Sequence, residues 1–430
     1  MKERLAIVSG LRTPMQKMGT GLAHLDADEL GAAVLRELMQ VSDIDAADIN
    51  EVIIGNCAQP AHAANVARVI ALKAGLPKQI PAVTVHRNCA SGMESITTAA
   101  QRLLLDDDAV AMVAGGVESM SNIPFLFSKQ GKAWFSQLQG ARTVGQKLGV
   151  LSKLRLGFFK PEIGLLKGLT DPVCNMLMGM TAENLAREFS ITRDAQDAFA
   201  LESHNKALAA TESGRFKDEM MSMVTGAKKQ QVIDTDNGPR KGQTIEALAK
   251  LRPYFDRKTG TVTVGTSSQV TDGAAAVTLM TESKAKALGL TPLGYLKAFA
   301  YAGCDPHRMG LGPTFAVERL CRESGFDLST VDVVEINEAF AAQVMANVIA
   351  MNSKSFFESE FGHSNVIGEI DPAKLNINGG AIALGHPLGM SGTRLVLTAL
   401  HQLKRDNKQT ALATLCIGGG QGAALWLEAK

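Results

Sequence analysis

Short continuous apolar runs alternate with stretches whose apolar residues recur every three or four positions. Runs over 5–9, 51–55 and 109–115 read as buried strands, and 81–85 leads up to Cys89. Helical spacing covers 28–39, 65–74 and 93–105. The last part repeats the plan, with strands over 294–300, 331–336 and 410–415 and helices over 314–324, 339–350 and 391–402. Such alternation predicts an α/β layered fold.

The repetition extends to residues. Segment 45–54 parallels 327–336, each a helix end, a short turn and a strand. Cys89 is followed by Gly92-Met93 and a helix, and His386 by Gly389-Met390 and a helix. The chain therefore divides into an N-terminal half over 1–122, completed by 269–292, and a C-terminal half over 293–430. A loop domain over 123–268 interrupts the first half before its final strand, and helices are expected within it over 180–189 and 193–212. Within the loop domain, 128–170 carries eight Lys and Arg against the single acid Glu162, interleaved with Trp134, Phe135, Leu148, Leu151, Leu156 and Phe159. A basic amphipathic stretch reads as a membrane-surface or partner-binding element, or as a solvated loop folded over the core.

Composition narrows the function classes. The chain has 430 residues, enough for two or three domains, with 46% hydrophobic and 20% charged positions. Net charge is +1 and aromatic content 5%, which gives no case for nucleic-acid binding. Six cysteines include no C-x-x-C pair and no accompanying His cluster, which argues against a zinc site and a disulfide framework, so no metal is expected. Free thiols fit a reducing compartment. The N-terminus lacks the apolar core of a signal peptide, and no apolar run approaches a membrane span. The expectation is a cytoplasmic protein, if bacterial, with peripheral membrane contact open through 128–170.

Two cysteines stand in distinctive settings. Cys89 lies in Asn88-Cys89-Ala90-Ser91-Gly92, between a strand and a helix, where the helix dipole is expected to lower its pKa. Cys416 ends an apolar strand and enters Gly418-Gly419-Gly420, a turn suited to exposing backbone N–H groups as an oxyanion hole, or simply a tight turn. His386 sits in Gly385-His386-Pro387, away from any apolar helical face. Asn337 sits between a buried strand and a helix, as a site residue or an N-cap. A nucleophilic thiol, a second thiol, an imidazole and an amide form a kit for acyl transfer to sulfur.

Asn-Cys-Ala-Ser-Gly, Asn337-Glu338-Ala339-Phe340, Gly-His-Pro and Cys-Ile-Gly-Gly-Gly, in this order, resemble the thiolase family over essentially the whole chain. The resemblance implies an αβαβα fold of two βαβαβαββ halves about a pseudo-twofold axis, with an inserted loop domain. It implies Cys89 as the nucleophile that carries the acyl group. Cys416 would be the acid/base, and His386 and Asn337 would form one oxyanion hole. The N–H groups of Cys89 and Gly418 would form a second. Coenzyme A is implied as co-substrate, with no permanently bound cofactor. Ser268, in a segment resembling the family's pantetheine-contacting stretch, is a candidate contact, with Arg240 and Phe255 where a cation and an apolar contact are expected. Met178 falls in the Met-Gly segment over the acyl pocket. Leu177 stands where the acetoacetyl-forming branch typically has His, which favours a fatty acyl tail.

The basic insertion is similar to that of thiolase subunits in multifunctional fatty-acid β-oxidation complexes. That likeness implies a 3-ketoacyl-CoA thiolase homodimer at the centre of an α2β2 assembly, with a subunit carrying hydratase and 3-hydroxyacyl-CoA dehydrogenase activities. A ketoacyl-synthase-type condensing enzyme is the enzymatic rival, and the Cys416 turn speaks against it. A catalytically silent scaffold or lipid-binding subunit would be free to lose any of Cys89, Asn337, His386 and Cys416.

Overall fold

The computed structural model describes residues 3–226 and 230–429. Its principal strands are β1 (Leu5–Arg12), β2 (Ile49–Gly55), β3 (Ala82–Val85), β4 (Ala111–Ser119), β5 (Thr271–Thr281), β6 (Gly294–Gly303), β7 (Val333–Ile336), β8 (Thr410–Ile417) and β9 (Gln421–Glu428). They lie in the order β7-β8-β9-β6-β1-β5-β4-β2-β3, and the two-residue strand Gln16–Lys17 pairs with β5 to complete a 10-stranded sheet. The seam between the halves is the antiparallel β1–β6 contact, Leu5 to Leu296, Ala6 to Tyr295 and Ile7 to Gly294.

Outward from that seam the halves repeat one pattern. β1–β5 and β5–β4 are antiparallel and β4–β2 is parallel, as β6–β9 and β9–β8 are antiparallel and β8–β7 is parallel. β3 has as its counterpart only a parallel bridge from Val334 to Leu375. The parallel of 45–54 with 327–336 holds through the strand, Ile54 pairing with Gly115 where Ile336 pairs with Thr414. Followed outward from the matching irregularities after Ile7 and Leu296, the registers make Gly55 the counterpart of Asn337.

Helices α1 (Ala27–Val41) and α2 (Val66–Ala74) cover the outer face of the first half-sheet, around a core of Leu30, Leu35, Val52 and Ile70. α3 (Ser91–Leu105) begins two residues after Cys89 and fills the central layer. The loop domain opens with a ribbon pairing Phe125–Phe127 to Pro161–Ile163, then α4 (Lys129–Gly140) and α5 (Val144–Leu151). The insertion is therefore an ordered unit, with Trp134 buried against Phe135, Phe158 and Phe159 and its Nε1–H donating to Val150 O at 2.9 Å. α6 (Met178–Glu188) and α7 (Arg193–Glu212) follow.

In the C-terminal half, α8 (Gly312–Ser324) and α9 (Ala341–Met351) cover the outer face, while α10 (Leu388–Arg405) joins α3 in the centre. α9 begins at Ala341 with Phe340 as its N-cap, so Asn337 is not a helix cap. The central layer buries Met93, Ile96 and Ala100 of α3 against Leu395, Val396, Ala399 and Leu400 of α10. Each large side chain sealed there contributes ~1.5–3 kcal/mol. None of the described helices is long and apolar enough to cross a membrane.

α3 and α10 meet at their N-termini through glycines. A Cβ on Gly92 would lie 2.6 Å from Thr393 Oγ1 and 2.8 Å from Gly389 O, and one on Gly392 2.5 Å from Met93 N. A Cβ on Gly116 would collide with the Gly389 carbonyl, which is backbone and cannot swing away. Gly116→Ala is therefore expected to lower stability by ~1–3 kcal/mol or more in guanidinium unfolding. Gly145→Ala, whose Cβ meets nothing, should not.

Candidate active site

The turn before α3 is held from several sides. Asn88 adopts a left-handed φ of 44°, uncommon for a residue with a side chain. Its carbonyl accepts from Ser91 N at 3.0 Å, Ser91 Oγ at 2.7 Å and Cys57 Sγ at 2.9 Å. Its Nδ2 donates to Gly418 O at 2.7 Å, joining this turn to the one that follows Cys416. The backbone N–H groups of Gly418 and of Cys89 itself lie near the Cys89 sulfur and favour its charged form. Gly419 at φ 92° and Gly420 at φ 80° make the turn in a conformation that glycine adopts freely.

Cys89 is half-buried, and burial pushes its thiol up to about 11, outweighing the two N–H groups that favour the thiolate. The expected depression by the helix dipole is therefore overturned, because desolvation of the charged form is the larger effect. Cys416 is fully buried and its thiol is also raised, by burial first and then by the nearby Cys89.

His386 lies just before α10 and is buried, with burial and then Arg394 pushing it down to about 3, so it is neutral at rest. A chain of contacts selects its tautomer. Ser391 Oγ donates to Pro387 O at 3.0 Å and so is left to accept from His386 Nδ1–H at 2.5 Å. Nε2 then carries the lone pair and accepts from Asn337 Nδ2 at 3.4 Å. Asn337 is fully buried, its N–H bonds Thr414 O at 3.0 Å, and its Oδ1 has no partner among the described residues.

A cavity of about 440 Å³ opens above Cys89. Gly418, Gly419, Met178 and Leu388 line it, and Ile123, Leu165, Leu169 and Val173 form the apolar part of its loop-domain wall, beside Lys167, Thr170 and Asp171. His386, Cys416 and Asn337 are buried and are not part of its lining. Phe255 packs 5.8 Å from the Phe340 ring and against Gly179, beside Met178. Ser268 N–H bonds Ala339 O at 2.9 Å, which sets it next to the same Phe340. Arg240 stands apart: its side chain is exposed, its backbone N–H donates to His204 Nδ1 at 3.3 Å, and its carbonyl accepts from Gln243 N at 3.4 Å.

Several contributors left no signal in the sequence. Ser391 is one, as are the cavity wall over 164–173 and Cys57 beneath the Cys89 turn.

Two family models divide the chain between them, the thiolase N-terminal domain over residues 5–283 and the thiolase C-terminal domain over 290–429. The chain belongs to the thiolase family. Thiolases are acyltransferases that use coenzyme A as co-substrate. The chain is 43% identical to an acetyl-CoA acetyltransferase of Pseudomonas aeruginosa, with 98% of each chain covered. It is 39% identical to a 3-ketoacyl-CoA thiolase of Shewanella halifaxensis, over 100% of this chain and 97% of the relative. The crystal structure of the Bacillus anthracis acetyl-CoA acetyltransferase matches with a TM-score of 0.87 at 36% identity, covering 100% of this chain and 99% of that one.

With Cys89 at about 11, its thiolate fraction in the free enzyme rises about tenfold per pH unit up to that value. Iodoacetamide labelling of Cys89, followed by peptide mass spectrometry, should therefore climb without a plateau from pH 7 to about pH 10. A plateau below pH 8 would contradict the buried-thiol account.

Proposed function

We propose that this thiolase is a degradative 3-ketoacyl-CoA thiolase, cleaving 3-ketoacyl-CoA with coenzyme A to acetyl-CoA and a shortened acyl-CoA. The observation that carries the reading is the meeting of the two cysteine turns, where Gly418 N–H lies near the Cys89 sulfur and Asn88 Nδ2 reaches Gly418 O.

In this reading His386 Nε2 takes the Cys89 proton as sulfur attacks C3 of the substrate. The transfer is coupled to attack, since neither buried group ionises readily alone. The tetrahedral alkoxide is held by the N–H groups of Cys89 and Gly418. Its collapse breaks the C2–C3 bond and leaves an acyl thioester on Cys89 and the enolate of acetyl-CoA. His386 Nε2–H and Asn337 steady the enolate oxygen, and the Cys416 thiol protonates the enolate carbon. The Cys416 thiolate then deprotonates coenzyme A, whose sulfur attacks the acyl group. Cys89 leaves as thiolate and recovers its proton from His386, which closes the cycle with ping-pong kinetics.

The apolar wall of Ile123, Leu165, Leu169 and Val173 supports a fatty tail rather than acetoacetyl-CoA alone, as does Leu177 at the N-cap of α6. Met178, Phe255 and Ser268 are proposed at the coenzyme A side, with Arg240 at its outer edge. Wild type should release acetyl-CoA from medium- and long-chain 3-ketoacyl-CoA faster than from acetoacetyl-CoA. Cys89→Ala and Cys416→Ala should each lower kcat by about 10³-fold or more. Equal activity of either variant and wild type would exclude that cysteine's role.

The same reading makes the insertion a contact surface, for a membrane or for the hydratase/dehydrogenase subunit of an α2β2 assembly around a thiolase homodimer. Its support is α5, where Val144, Leu148 and Leu151 form one outward stripe, 75%, 61% and 44% exposed. Lys147, Arg142, Lys153 and Arg155 flank it. Vesicles rich in anionic lipid should sediment with the protein and release only part of it at high salt, the remainder held by apolar insertion. No sedimentation would assign the stripe to the partner subunit.

A further inference from the structure

The strand registers relate the halves residue by residue. The irregularities after Ile7 in β1 and after Leu296 in β6 are counterparts, so Thr278, paired with Ser9, matches Trp426, paired with Ala298. Through the neighbouring strands the same registers match Val117 with Cys416 and Gly55 with Asn337. The helix starts after Cys89 and His386 make those two residues counterparts as well. Glu118 and Asn56 each stand one residue beyond the counterparts of Cys416 and Asn337, and both are fully buried.

Four donors hold the Glu118 carboxylate. Glu118 Oε1 accepts from Asn56 Nδ2 at 3.0 Å and Ala58 N at 2.9 Å, and Oε2 from Cys57 N at 3.1 Å and Gly389 N at 2.9 Å. The first three donors belong to the segment beneath the Cys89 turn. From it Cys57 Sγ reaches Asn88 O, and Cys57 O meets His86 Nε2 at 3.1 Å. The fourth is an otherwise unpaired N–H in the first turn of α10, three residues after His386.

We propose that Glu118 is a positioning residue for the Cys89–His386 pair, its carboxylate tying the support of the Cys89 turn to the head of the helix that carries His386. It touches neither substrate nor the reacting atoms. Only a carboxylate offers two oxygens to donors on both sides, and the helix dipole favours its charge at Gly389. A glutamine would keep one acceptor and turn an NH2 group toward N–H donors. The charge also disfavours the Cys89 thiolate, so that attack depends on His386 being in place. The proposal rests on the thiolase chemistry above.

The test is acyl transfer to Cys89 from a 3-ketoacyl-CoA without coenzyme A, following rate constant and amplitude by rapid quench and intact mass. In Glu118→Gln the rate constant should fall about 10- to 100-fold, as expected for a small misplacement of reacting groups. The amplitude should stay near that of wild type in the folded protein. A merely structural role would lower the amplitude and leave the rate constant of the remaining molecules unchanged, which would overturn the proposal. If Glu118→Gln fails to fold, Asn56→Ala, which removes one donor, should slow the same step by a smaller factor; an unchanged rate constant there would equally overturn it. An unacylated wild type would instead reject the thiolase chemistry, and this inference with it.

Discussion

The arrangement depends on two helix N-termini meeting where no side chain fits. Gly92, Gly389 and Gly392 let α3 and α10 approach backbone to backbone, and Gly116 and Gly55 clear the strands beneath them. Because of that approach, Cys89 and His386, at the heads of these two helices, belong to one site. The surrounding apolar layer of Met93, Ile96, Leu395 and Leu400 makes it rigid, since a close-packed interior transmits rather than absorbs displacement.

The same packing sets the electrostatics. Desolvation outweighs the N–H groups at Cys89, and it keeps Cys89, Cys416 and His386 uncharged at rest. Neutral partners in a low-dielectric site are poised for coupled proton transfer rather than for a standing ion pair. Ser391 and Asn337 then decide which imidazole nitrogen is the base. Glu118 and Asn56, each one residue beyond the counterparts of Cys416 and Asn337 in the other half, close on each other.

Most of the fold was legible in the chain because strand and helix periods are local. The strands and helices around Cys89, Asn337 and Cys416 stand close to where apolar spacing put them, and the halves were visible in segments 45–54 and 327–336. The boundaries slipped where tertiary pairing decided them. β4 runs on to Ser119 because β5 pairs along it. The insertion's composition showed its charge but not its aromatic core around Trp134, which forms between segments distant along the chain.

By itself the sequence determined the layered α/β class, the duplication and the four short motifs that carry the chemistry. Each is written in neighbouring residues, in spacing, glycine placement and residue type. Tertiary structure alone decided that the Cys89 thiol is raised rather than lowered, which nitrogen of His386 is free, and which loop walls the cavity. It also decided that Glu118 bridges the halves. These properties depend on desolvation and on donors brought in from distant segments, and neither is encoded at the position it acts on.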